Sequence, residues 1–448
     1  MESKVYIDPY PKTMKMLGLE RINIDCGNNT SIVTTANIAK DMVAIIPDEA
    51  FIPESKFLDI CCKSGIFLTS IRERLMNSPA MIEAIPDYKE RYEYITNNQL
   101  YGIAPNGQCQ MYSVRAVYGT LKVDTPHILC FGVFDQYKTA CLNNNHKMLI
   151  EEMKKEFGQM KFDVVIGNPP YNKGMDLDFV DLGYKLSNKY TVMITPAKWQ
   201  TAADDYSGCA SKNINYKQFR EMYVPHMSYV CFYPDCVDVF NVSQSDGITY
   251  YILDQNLHAE CTVENKCKIN KYLNSCRNRN ISDRQTLWNV ANDIIEYLAQ
   301  YKRFVFKHPL QADYLVITNS QLANGGGARG GVGIFNNEGN FQCVGLSDIY
   351  TPQTQMQASG ASCITFTSNS KDECESFISW LNCKFTRFFV ACNISKLTGI
   401  LTNDYFRFVP APPTGKFDHI YTDQELYEAF DLPQKYRDVI EAVIKERK

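Results

Sequence analysis

Asn168-Pro169-Pro170-Tyr171 stands directly after the apolar run Phe162-Asp163-Val164-Val165-Ile166-Gly167. An amino group conjugated to an aromatic heterocycle is a poor nucleophile, because its lone pair is delocalised into the ring. Two hydrogen-bond acceptors placed on its N–H groups would draw it toward tetrahedral geometry and restore nucleophilicity. The Asn168 side-chain oxygen can supply one acceptor and the Pro169 backbone carbonyl the other. Successive prolines hold that carbonyl in a fixed, extended geometry. Tyr171 offers an aromatic face on which an extruded base can stack. Without the preceding strand, the tetrapeptide would read as an ordinary Pro-rich turn.

A second constellation is Phe57-Leu58-Asp59-Ile60-Cys61-Cys62-Lys63-Ser64-Gly65-Ile66-Phe67-Leu68. A strand, a tight turn of small residues and a helix let a nucleotide-like ligand approach the backbone. Neither GxGxxG nor GxxxxGK[ST] is present, so a dinucleotide or triphosphate is not favoured. Asp59, at the strand end, can accept hydrogen bonds from a cationic amino group. A bare strand–turn–helix crossover with no ligand is the competing reading of this segment.

The elements that must position these residues follow from periodicity. Thr34 to Ile46 has helical spacing through Ile38, Met42, Val43 and Ile46. Strands are predicted at Lys56–Ile60, Leu100–Ile103, Ile128–Phe134, Phe162–Ile166 and Tyr190–Ile194. Helices are predicted at Ile66–Leu75, Gln110–Tyr118 and Leu177–Leu186. Such alternation indicates a parallel, doubly wound α/β sheet with its site at the strand C-termini. A further strand is expected at Ile248–Leu253 and a helix at Leu287–Tyr301. Gly325–Gly333 reads as a loop, Phe377–Ala391 as one amphipathic helix and Tyr421–Lys448 as a charged helical tail. The expected domains are 1–265 and 266–448.

Composition bounds the rest. The chain of 448 residues is 45% hydrophobic and 21% charged, which suits a globular protein of two or three domains. No stretch approaches the roughly 20 apolar residues of a membrane span. Met1 to Lys15 is polar and broken by Pro9 and Pro11, unlike a signal peptide. A cytoplasmic location is the expectation. The 17 cysteines include no CxxC pair, and the histidines show no metal-ligand spacing, so reduced thiols and no metal are expected. Net charge is −4, yet Lys266 to Arg329 holds ten Lys or Arg against Asp283, Asp293, Glu296 and Asp313. A basic face on a mildly acidic chain is compatible with nucleic acid.

The order of Thr34-Thr35, the Asp59–Gly65 loop and Asn168–Tyr171 resembles the gamma-class adenine-N6 DNA methyltransferases. More narrowly it resembles the methylases of type II restriction–modification systems related to type IIG enzymes. Leu100-Tyr101-Gly102-Ile103-Ala104 is similar to the family's second strand, and Val192-Met193-Ile194-Thr195-Pro196-Ala197-Lys198-Trp199 to its fifth. Val239-Phe240-Asn241-Val242 and Gly247-Ile248-Thr249-Tyr250-Tyr251 resemble the segment that packs against the target base. Phe377–Phe389 and Tyr405-Phe406-Arg407-Phe408-Val409-Pro410 look like a target-recognition region. The resemblance implies a Rossmann-like methyltransferase domain followed by a mixed α+β target-recognition domain. It implies S-adenosylmethionine as methyl donor and double-stranded DNA as partner, with a separate restriction endonuclease as a candidate second partner. Asn168, Pro169, Pro170 and Tyr171 would be catalytic. Thr34, Thr35, Asp59, Cys61, Lys63, Gly65, Asn106, Asp135 and Asn168 would hold the cofactor. The chain departs from the family at Lys63, where the family loop carries Gly, and just after Ile103, where Asn106 stands in for the expected acidic residue. No nuclease is expected, since the residues before Thr34 are too few to house one. The alternatives are a catalytically inactive DNA-binding or specificity protein of the same fold, or an NPPY methyltransferase acting on RNA or protein glutamine.

Overall fold

The computed structural model describes residues 24–25, 30–31, 33–124, 126–130, 146–158, 161–171, 174–202, 204, 213–234, 236–240, 247–268, 270–281, 284–286, 288–305, 312–319, 347–351, 362–393 and 406–444. A short ribbon, β1 (Ile24–Asp25) and β2 (Thr30–Ser31), precedes α1 (Ala36–Ala44) and β3 (Phe57–Asp59). Then come α2 (Ile66–Met76), α3 (Pro79–Ala84), α4 (Tyr88–Asn98), β4 (Leu100–Ala104), α5 (Gly107–Tyr118) and β5 (Ile128–Cys130). The chain continues through α6 (His146–Phe157), β6 (Phe162–Gly167), α7 (Met175–Leu186), β7 (Ser187–Pro196), α8 (Lys198–Thr201) and α9 (Tyr216–Tyr223). Next are β8 (Met227–Tyr233), α10 (Val237–Phe240), β9 (Ile248–Asp254), β10 (Cys261–Asn265) and β11 (Ser275–Arg279).

Nine of these strands form one sheet in the order β11-β10-β8-β9-β7-β6-β3-β4-β5. From β5 to β7 every pairing is parallel, and β9 then enters antiparallel between β7 and β8. This is the α/β, doubly wound, Rossmann-like class expected from the alternation. The order reverses between β3 and β6, since β3 is followed outward by β4 and β5 whereas β6 is followed by β7. Ligands of open α/β sheets bind at such a reversal, outside the strand C-termini.

Period-two alternation distributes side chains between the two faces of the sheet. Val164 and Ile166 of β6, with Tyr190, Val192 and Ile194 of β7, face a core shared with α1, α2 and α5. Val165 and Met193 face the opposite core, built with α7 and α9. Both faces are covered, so the central strands read as nearly continuous apolar runs.

The remaining part holds α11 (Asn289–Tyr297), then β12 (Tyr314–Asn319), β13 (Ser347–Tyr350) and β14 (Ser362–Ser368) as an antiparallel sheet ordered β13-β12-β14. Four helices follow: α12 (Lys371–Asn382), α13 (Lys384–Asn393), α14 (Asp423–Ala429) and α15 (Gln434–Val443). The single helix expected over Phe377–Ala391 is two, parted at Cys383, whose backbone is extended (φ −57°, ψ 140°). The tail over Tyr421–Lys448 is likewise two helices, separated by Asp431 in a left-handed conformation and by Pro433. The expected boundary at 265/266 falls between two paired strands. It cuts the β10–β11 hairpin, whose second strand belongs to the large sheet through Arg279. Gly325–Gly333 lies outside the described residues.

The two parts share a core. Phe232 of β8 and Ala197, which directly follows β7, pack into the C-terminal cluster, and the Phe232 ring meets Trp288 edge-on at 5.2 Å. Asn289 donates to the Val263 carbonyl at 2.9 Å. Arg284 donates to the Thr201 carbonyl at 2.7 Å, and Arg407 donates to the Arg284 carbonyl at 2.8 Å. Among the described residues, no helix is long and apolar enough to cross a membrane.

Candidate active site

The loop after β3 is fixed by its own backbone. Ile60 N–H donates to the Ile166 carbonyl at 2.9 Å, and Cys62 N–H to the Ile103 carbonyl at 2.8 Å. The turn is thereby stitched to the strands on both sides of the sheet reversal. Gly65 closes it with φ +75° and starts α2. A Cβ there would sit 3.2 Å from the Ser113 backbone and from the Ala116 Cβ, so both the left-handed angle and the close approach of α5 demand glycine. Ser113 is a member of this loop environment that sequence reasoning missed. Its hydroxyl accepts from the Cys62 thiol at 3.2 Å.

Asp59 ends β3 with 1% exposure. Its Oδ1 accepts the Cys61 N–H at 3.1 Å. Burial raises its carboxyl from 3.8 to about 7, against the Cys61 and Cys62 hydrogen bonds and the nearby Lys63 charge, which lower it. Cys61 and Lys63 are both buried in the same loop. A buried carboxyl held near neutrality by desolvation regains its charge when a cation settles beside it. The loop therefore fits the ammonium of an amino-acid-bearing ligand.

Asn168 follows β6 with 3% exposure. Its Nδ2 donates to Thr34 Oγ1 at 3.0 Å across 134 positions of sequence. That bond orients the amide, and Oδ1 occupies the opposite branch. Thr34, itself buried, thus holds the Asn168 amide in place from the entry of α1. Thr35 donates to the Val239 carbonyl at 3.4 Å, joining the same entry to α10. At the end of β6, Gly167 is required by space, since a Cβ would come within 2.7 Å of the Ile60 side chain. This close approach brings the ends of β3 and β6 together.

Tyr171 donates its hydroxyl to the Ile194 carbonyl of β7 at 3.3 Å. Burial is the main cause that keeps its phenol protonated far above the ordinary range. Its ring lies 6.4 Å from that of Phe240, tilted by 50°. Asp176, in the first turn of α7, was not anticipated. It is buried and raised to about 7 by desolvation, with the Lys198 charge opposing the shift.

Asn106 sits at the start of α5. Its side-chain oxygen caps α5 by accepting the Cys109 N–H at 2.8 Å. A ribose hydroxyl would have to be met by its amide N–H groups instead. Asp135, Asn241 and Val242 lie outside the described residues.

The structure thus brings Thr34, Asp59, Cys61, Lys63, Gly65 and Asn168 to one end of the sheet at its reversal. The sequence model of the Eco57I restriction-modification methylase family matches residues 98–232. That segment runs from β4 to β8 and contains Asn168–Tyr171. An "Uncharacterized adenine-specific methylase" of Mycoplasma pneumoniae is 24% identical, over 54% of this chain and 71% of that protein. Among solved structures, a modification subunit of a putative type I restriction enzyme from Vibrio vulnificus aligns with TM-score 0.37 at 13% identity, over 58% of this chain and 51% of that one. A nuclease-deletion mutant of the type ISP restriction-modification enzyme LlaGI, in complex with a DNA substrate mimic, aligns with TM-score 0.42 at 11% identity, over 69% of this chain and 35% of that one. The chain spans about half or less of these structures. The fold assignment rests on the strand order, and the methylase similarity on the matched segment.

Proposed function

We propose that the chain is a DNA adenine-N6 methyltransferase of restriction–modification type that uses S-adenosylmethionine. The observation that carries the reading is the Asn168 amide, oriented by Thr34 at the end of β6, beside the buried Asp59 loop at the sheet reversal. When bound, S-adenosylmethionine supplies a methyl group on a sulfonium leaving group. Asp59 would pair with its ammonium, while the turn from Cys61 to Gly65, with Thr34 and Thr35 nearby, would line its site. Asn168 Oδ1 and the Pro169 carbonyl would accept the two N–H groups of the flipped adenine, leaving the nitrogen lone pair directed away from the ring. Tyr171 would stack on the base, its ring angle held by the hydroxyl bond to Ile194. A planar base between Tyr171 and Phe240 needs about 7–8 Å between rings, two van der Waals contacts, so these rings would part slightly on binding. Placement and hydrogen bonding are then the protein's main contributions.

The C-terminal part, from about Asn280, would read base edges, and its lysines and arginines would contact phosphates. Expression in a methylation-free host, followed by single-molecule sequencing of the genome, tests the whole reading. Modified adenines in one sequence context are expected, absent with Asn168→Ala. Unmodified adenines throughout, with purified protein that also fails to bind S-adenosylmethionine, would leave an inactive specificity protein as the better description.

A further inference from the structure

The β10–β11 hairpin is part of the large sheet, not of the C-terminal sheet. β10 is parallel to β8, and β8 and β7 each pair antiparallel with β9. The C-terminal end of β10 therefore lies on the same edge of the sheet as the end of β6, where Asn168 stands. The turn between β10 and β11 is well anchored. Asn270 N–H donates to Cys267 Sγ at 3.3 Å, and Asn270 Oδ1 accepts the Tyr272 N–H at 3.0 Å. Leu273 N–H donates to the Asn270 carbonyl at 3.1 Å. Cys267 and Leu273 are buried in the C-terminal core.

What this turn exposes is basic and aromatic. Lys268, Lys271, Tyr272 and Asn274 all face solvent. Lys268 pairs with Asp238 at 2.9 Å, which ties the turn to α10 and so to Phe240 beside Tyr171. Lys271 lies 5.3 Å from the Tyr272 ring centroid, and no carboxylate pairs with it among the described residues. Four strand spacings separate β10 from β6, which is about 19 Å. At 3.4 Å per nucleotide along one strand, that corresponds to about five or six nucleotides.

Resting on the methyltransferase reading, we infer that the β10–β11 turn is a backbone clamp for duplex DNA, gripping phosphates about half a helical turn from the flipped base through Lys268 and Lys271. The clamp belongs to the catalytic half. Sequence-independent affinity would thus be built next to the reacting site, separate from base reading by the C-terminal part. Tyr272 would cover the sugar edge beside the same phosphates.

The test measures duplex binding by the full-length chain in fluorescence anisotropy over a salt series. Lys271→Ala and Lys268→Ala/Lys271→Ala are compared with wild type, and Lys189→Ala at the opposite end of the sheet is the control. Each removed phosphate contact should make the slope of log affinity against log salt shallower by about 0.9. The double variant should show about twice that change, equally on specific and scrambled duplexes, while Lys189→Ala keeps the wild-type slope. Calorimetric binding of S-adenosylmethionine by each variant verifies the fold. Unchanged slopes in a double variant that still binds cofactor would overturn the clamp, as would equal losses from Lys189→Ala. Wild-type protein that binds cofactor but no duplex would overturn both the clamp and the DNA reading. Wild-type methylation of duplex with unchanged variant slopes would overturn the clamp alone.

Discussion

The catalytic sheet and the C-terminal part are stabilised by the same hydrophobic packing, but they treat polar groups differently. At the candidate-site edge of the sheet, Asp59, Lys63, Asn168 and Asp176 are all buried, and burial raises both carboxyls to about 7. The C-terminal core instead concentrates rings. Phe377 stacks on Phe366 at 4.5 Å, Phe385 on Phe430 at 5.1 Å, and Trp380 is fully buried against Phe304 and Phe417. Buried ionisable groups are costly unless something compensates, so two buried carboxyls raised to about 7 near this edge make it the candidate functional edge. The ring-rich core is a platform, and the residues that would read a partner must lie on its surface.

Trp380 carries the C-terminal ring core. Trp380→Ala should destabilise the C-terminal core by about 3–5 kcal/mol, followed by denaturant unfolding of the full chain. Because Phe232 and Trp288 join the two cores, a single broadened transition is expected. Two clean transitions would mean that the shared contact does not couple them. The same contact bears on shortening the chain. A cut near Asn256 removes β10 and β11 and uncovers Phe232, so such a fragment should aggregate.

Asn168→Ala acts on the other region with little effect on stability. A loss of about two orders of magnitude in single-turnover rate is expected, with cofactor affinity retained. Near-wild-type turnover would show that the buried amide serves only to hold Thr34.

A smaller separation is expected at Tyr171. Tyr171→Ala should lose stacking worth about 1–3 kcal/mol, read as a rise in the KM for DNA. Tyr171→Phe keeps the ring face but loses the bond to Ile194, so its effect should be milder. Equal effects of the two substitutions would assign the role to the hydroxyl and the ring angle it sets.

The finest test is pH. The Asp59 carboxyl is raised from 3.8 to about 7 in the fold. Between those values the folded chain keeps a proton that the unfolded chain has released, so stability falls as pH rises through the window. The opposite trend holds for an ammonium ligand, whose affinity should rise as Asp59 ionises toward pH 8. Asp59→Asn should flatten the affinity profile measured by calorimetry between pH 6 and 8. It should remove only part of the stability slope, because Asp176 titrates in the same window. A cofactor affinity in Asp59→Asn that still climbs with pH would dismiss Asp59 as its ammonium partner.

The strands of the catalytic sheet were legible because parallel strands covered on both faces must be apolar throughout. Val164-Val165-Ile166 and Val192-Met193-Ile194 carry that signature in the sequence alone. β8, β10 and β11 were not found. β11 is the edge strand, and its exposed Arg277 and Asn278 give no apolar run. The Phe377–Ala391 run keeps helical periodicity across Cys383, so the break there has no pattern to betray it. The position of the candidate site was equally readable, since Asn168–Tyr171 stands directly after β6 at the sheet reversal.

Sequence by itself determined the strand–helix alternation, the Asn168–Tyr171 tetrapeptide after β6 and the loop that follows β3, because each is written in neighbouring residues with a local physical cause. Only the tertiary structure decided that Thr34 holds the Asn168 amide and that Asp59 sits near neutrality. It also decided that the β10–β11 turn shares the edge of the reacting site. Each of these depends on groups far apart in the chain, or on burial by them, and neither contact nor desolvation across such separations has a local signature.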